Sequence, residues 1–144
     1  MRPGFAAPWL IWALLSAVFA AGTAIFAKIG VTRVDSDLAT LIRTVIVAGV
    51  LAGLLALTGR LQPAPIPARS WLFLTLSALA TGASWLCYFR ALKLGEAARV
   101  APIDKLSVVL VALIGVFVLG ERLSSTNWLG ICLIAAGAVL VALR

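Results

Sequence analysis

The chain has 144 residues, of which 63% are hydrophobic and 12% charged, and its mean hydropathy is +1.14. Soluble domains carry about 45–50% apolar and about 25% charged residues, so a water-soluble globule is excluded: its surface would need more polar cover than this sequence supplies. The net charge of +7 comes from 12 Lys and Arg against 5 Asp and Glu, but the cations stand between or at the edges of apolar runs. That placement fits membrane orientation and gives no reason to expect a nucleic-acid partner.

Five apolar stretches approach the 20 or so residues needed to cross a hydrocarbon core roughly 30 Å thick. They are residues 8–27, 38–57, 71–92, 100–119 and 128–143. Lipid offers backbone groups no hydrogen-bond partner, and continuous apolar runs meet that condition as helices. The expected fold class is all-α, an integral membrane bundle of five transmembrane helices, with residues 1–144 forming one domain. The first run is too long for the apolar part of an ordinary signal peptide and has only Arg2 before it, so it reads as a span. Val34-Asp35-Ser36-Asp37 supplies capping side chains for the second helix. Three prolines, Pro63, Pro65 and Pro67, make the next connection a loop. Ser124-Ser125-Thr126-Asn127 leads into the fifth span, the shortest, which reaches across if Asn127 and Arg144 lie near the headgroups.

Five spans put the termini on opposite sides. Arg2, Arg60, Arg69 and Arg122 fall on the N-terminal side, and Lys28, Arg33, Arg90, Lys93, Arg99 and Arg144 on the other. Four against six is a weak positive-inside bias, so insertion in both orientations is permitted. Trp9, Trp12, Trp71 and Trp128 all fall on the N-terminal side, as an interfacial tryptophan belt would.

Ionisable residues inside spans are costly and usually face a bundle interior or a wet cavity. Arg43 lies six residues beyond Asp37, about 9 Å into its helix, and Asp104 lies five beyond Arg99, about 7–8 Å in. With Lys28, Arg90 and Lys105 they fall in one half of the bundle, which predicts a vestibule of net positive charge. Two readings stand for Arg43 and Asp104: an ion pair locking the second helix to the fourth, or a pair that touches a solute or ion. Lys28 and Arg90 are near enough to the edge to snorkel. Lys105 points about 100° away from Asp104, toward headgroups or the vestibule.

On the third helix, Ser77, Thr81, Ser84 and Tyr88 share one face, either lining a path or bonding the preceding turn's carbonyls. A positive vestibule suits an anionic or zwitterionic solute, while Tyr88 and Trp85 also suit an aromatic or cationic one. Gly49 and Gly53, and Gly130 and Gly137, mark helix faces open to close packing, within the chain or against a second copy. There is no His, no paired acid and no nucleophile–base set, so an enzyme is not expected. Cys87 and Cys132 sit within apolar runs, so no metal site is expected either, and nothing calls for a cofactor.

Tyr88-Phe89-Arg90-Ala91-Leu92, then Ala97-Ala98, Pro102, Gly120-Glu121, Gly130 and Gly137 form an ordered set that resembles the EamA-type domain of the drug/metabolite transporter superfamily. The resemblance covers nearly the whole chain, although Ile103-Asp104-Lys105 is more charged than the generic pattern. It implies a transporter in which two such domains of inverted topology surround a central path. Here there is one domain, so the resemblance implies recruitment of a second copy as an antiparallel homodimer with alternating access, in a bacterial inner membrane. The expected partners are the lipid bilayer, a small-molecule metabolite or drug-like solute, and that second copy, with proton exchange at Asp104. Two alternatives stay open: flipping of a phosphate-bearing lipid carrier, and a non-transporting subunit that needs a hetero-partner.

Overall fold

The computed structural model describes residues 8–61 and 65–143, so Arg2 and Arg144, counted above on opposite sides, lie outside the described residues, as does part of the proline-rich loop. The described residues form six helices and no strand: α1 (Pro8–Val31), α2 (Ser36–Leu57), α3 (Ala68–Leu94), α4 (Ala97–Asp104), α5 (Ser107–Phe117) and α6 (Ser125–Ala142). They make five apolar stretches long enough to cross a membrane, the fourth being α4 and α5 together, Ala97–Phe117. The fold is thus the all-α membrane type expected, with one difference in the fourth span.

That span is broken where a continuous helix was expected over 100–119. Pro102 lies inside α4; it has no N–H to donate, and its ring crowds the carbonyl one turn back. Beyond the proline the helix tightens. Lys105 N–H donates to Pro102 O (3.1 Å), Leu106 to Ile103 (3.0 Å), Val108 to Lys105 (3.0 Å) and Val109 to Leu106 (3.0 Å). These three-residue steps belong to a 3₁₀ turn, and a mid-helix stretch of this kind is where a hinge or a site is commonly found. Asp104 and Lys105 sit at the break.

Two compact units divide the chain. One, Phe26–Lys93, holds the end of α1 with α2 and α3. Its buried residues gather at one end of these helices: Ala27 and Val31 from α1, Ser36 and Thr40 from α2, Phe89 and Leu92 from α3. The buried hydroxyl of Thr40 donates to Ser36 O at 2.8 Å, and Thr44 repeats the bond to Thr40 O. Each hydroxyl is thereby satisfied within its own helix. Asp35 caps α2, accepting from the N–H groups of Asp37 (3.0 Å) and Leu38 (3.1 Å), as the sequence led one to expect.

The other unit holds the start of α1 and everything from Leu94 on. In it α6 packs along α4 and α5, with Ala112 and Ala138 buried. After α5 the chain turns at Gly120, whose φ of 71° is left-handed. Glu121 N–H then donates to Gly115 O at 2.9 Å, and its carboxylate folds over Gly115, where a Cβ would stand 2.6 Å from Oε2. The Gly120-Glu121 pair therefore terminates the fourth span. Gly120→Ala is expected to cost about 1–2 kcal/mol, the strain of an L-residue in this region. Gly115→Ala should cost less, because the exposed Glu121 side chain can swing away; thermal unfolding in detergent would rank the two.

Candidate functional site

Three cations close one end of the Phe26–Lys93 unit. Arg90 donates through Nε and Nη2 to both carboxylate oxygens of Asp37, at 3.0 and 2.6 Å. Lys28 Nζ donates to Leu92 O (2.7 Å) and Lys93 Nζ to Val34 O (3.1 Å). The fork of a guanidinium matches a carboxylate in two parallel bonds, which fixes orientation as well as charge. Leu92 lies in the last turn of α3, whose carbonyls have no partner within the helix, so Lys28 takes up an orphan acceptor. Together the three contacts join the end of α1, the connection after it, the start of α2 and the end of α3. Arg90→Asp should open this clamp and lower the melting temperature, and the exchange Asp37→Arg with Arg90→Asp should recover part of the loss.

Farther into α2, the half-buried Arg43 makes a different set of contacts. Its Cζ stands 4.2 Å from the centroid of the Trp85 ring and 5.6 Å from that of Phe89. Trp85 and Phe89 are one turn apart on α3, so both rings face the same way. Tyr88, on the same side, lies within electrostatic reach of the guanidinium. The only acids of this unit are occupied elsewhere: Asp35 caps α2 and Asp37 holds Arg90. A cation over an aromatic face is worth about 1–2 kcal/mol when partly desolvated, and this is how the unit accommodates a charge inside a span. Trp85→Ala should destabilise the protein by about that much, and Trp85→Phe should restore most of it, as read by chemical unfolding.

Trp85 also lines a groove of about 340 Å³ bounded by Thr44 of α2 and, from α3, Leu74, Ser77, Ala78, Thr81 and Gly82. This is the lower range of volumes that hold small organic ligands. Thr81 Oγ1 donates to Ser77 O at 2.9 Å, leaving its oxygen able to accept from the groove side. Ser84 is exposed and lies about 90° round the helix from the middle of the groove lining, so the polar stripe read from the sequence contributes only Ser77 and Thr81 to the groove.

In the other unit, Asp104 is half-buried and pairs with its neighbour, the Lys105 ammonium, at 3.2 Å. Arg99 Nη2 donates to Ala142 O at the end of α6, at 3.3 Å. Among the described residues, no group of three or more His, Cys, Asp and Glu is placed to hold a metal ion. The proposed packing glycines, Gly49, Gly53, Gly130 and Gly137, have no described heavy atom within 4 Å of where a Cβ would stand.

Sequence reasoning gave Arg43 a candidate role but did not give it Trp85 as a partner. A signal was present: four tryptophans cluster at span ends, while Trp85 alone lies deep within one. A model of the EamA-like transporter family matches residues 7–143. The chain is also 65% identical over 135 residues to a Sinorhizobium sp protein named an uncharacterized transporter in the cobO 3'region, a match covering 93% of this chain and 96% of that protein. No solved structure matches.

Proposed function

Because the chain belongs to the EamA-like transporter family, and is a membrane transporter in that sense, we propose that it moves a small metabolite or drug-like solute across a bacterial inner membrane as an antiparallel homodimer. The observation that carries this reading is the α2–α3 groove, with a guanidinium held on aromatic faces at its Trp85 wall. A charge kept at that depth without an acid from its own unit is expensive unless something polar visits it. Alternating access then follows from one copy rocking against the other about a site near the midplane.

The matched Sinorhizobium relative is covered over 96% of its length and covers 93% of this chain, so the two are of similar extent. Pairing with a second copy supplies the other half, and the near balance of cations on the two sides lets copies insert in opposite directions. Gly49 and Gly53, open on α2, offer that copy a close approach. Gly53→Leu is expected to abolish dimer crosslinking while leaving monomer unfolding unchanged, since no described heavy atom lies within 4 Å of where its Cβ would stand. Labelling of a single Cys at position 60, in a background without Cys87 and Cys132, should occur from both membrane faces; labelling from one face alone refutes the antiparallel dimer.

Transport itself is tested by reconstituting the purified protein in vesicles and screening labelled metabolites for protein-dependent movement at two pH values. Solutes that also raise the melting temperature in detergent identify the cargo. Movement of no solute, by a correctly folded dimer, refutes the reading.

A further inference from the structure

We infer that the groove takes an amphipathic organic anion, a flat apolar body ending in a carboxylate- or sulfonate-type head, with the head on Arg43 and the body between α2 and α3; this rests on the transport reading above. Composition left the solute's charge open between anion, zwitterion and cation. The geometry narrows it. Among the described residues of the Phe26–Lys93 unit, no oxygen accepts a hydrogen bond from Arg43, and both acids of that unit are engaged at the capped end of α2. A guanidinium has five N–H donors in a rigid fork. Stacking on Trp85 neutralises none of them, because a ring face attracts the charge but leaves the edge donors unmade. No buried side-chain nitrogen or oxygen is left without a partner among the described residues, so these donors are reachable from outside. A planar two-oxygen anion is the ligand that fits such a fork.

The same wall sets the rest of the ligand. Arg43 is not itself part of the groove lining, but Trp85 both carries the guanidinium and lines the groove, so a ligand that spans this ring joins a head on Arg43 to a body in the groove. Leu74, Ala78, Gly82 and the indole offer apolar surface, while Thr44, Ser77 and Thr81 offer three hydroxyls to orient a polar substituent. A volume of about 340 Å³ accommodates a body of one or two rings. A cationic solute would meet Arg43 as a like charge and has no acid in this unit left to receive it.

The test uses two permanently charged, single-ring probes, benzenesulfonate and phenyltrimethylammonium, with the protein in dodecyl maltoside and in phosphatidylcholine vesicles. Benzenesulfonate should raise the melting temperature and enter vesicles in a protein-dependent way. Arg43→Gln should weaken both at least ten-fold, and Arg43→Lys, which keeps the charge but not the fork, should fall between. Entry of phenyltrimethylammonium without benzenesulfonate overturns the anion assignment and leaves transport standing. Failure of both probes to bind or move also overturns it, and transport then falls separately only if the metabolite screen moves nothing. A sulfonate effect that dodecyl phosphate displaces, with no vesicle uptake, gives the fork to a lipid headgroup and overturns the solute class.

Discussion

Arg43→Gln is expected to reduce solute flux by roughly 10- to 100-fold while the protein still reaches the membrane and folds. The size follows from the bond removed. A hydrogen bond to a charged group contributes about 1.5–3 kcal/mol, and each 1.4 kcal/mol is a factor of ten in affinity. Folding survives because the neutral amide removes a charge that is costly at that depth, which offsets the lost stacking on Trp85. Flux at wild-type levels would move the binding role away from α2, whatever the stability of the variant. Measuring half-saturation and maximal rate together separates a binding loss from a slower conformational step.

Asp104→Asn is expected to abolish accumulation driven by a pH gradient and to leave solute-for-solute exchange running. Proton exchange needs an acid that can be reached within a span. Of the five acids, Asp35 and Asp37 begin α2, Glu96 immediately precedes α4 and Glu121 follows α5, so only Asp104 stands away from a span end. It does so at the 3₁₀ break, beside Lys105 at 3.2 Å. A proton arriving on the carboxyl would release that ammonium, joining protonation to movement at the 3₁₀ break. Asparagine keeps the shape and stays neutral at every pH, so counterflow persists and the gradient does no work. Gradient-driven uptake equal to wild type would remove Asp104 from the coupling.

Much of the fold could be read directly because the bilayer makes composition nearly decisive: a run of apolar residues has only the helix available to it. Asp35 as a cap of α2 was equally legible, being a local bond between a side chain and the backbone N–H groups two and three residues on. The break after Pro102 was not. Proline is tolerated in membrane helices when neighbours absorb the freed carbonyl, and the sequence does not say whether the helix bends or tightens. The contacts of Arg90 were harder still, since Asp37 lies 53 residues away and two plausible fates, snorkelling and pairing, look alike in one dimension. Arg43 was legible as a charge out of place, but its stacking depends on which way α3 turns its Trp85 and Phe89 faces.

The polar clamp at the end of α1, α2 and α3 has a consequence for biosynthesis. Its members come from residues 28 to 93, so it closes only after the third helix has left the ribosome. Once it has closed, inverting this part of the chain would drag two lysines, an arginine and an aspartate through hydrocarbon together. A nascent chain must therefore settle which way it faces before translation has gone much beyond Lys93, and the later helices inherit that decision.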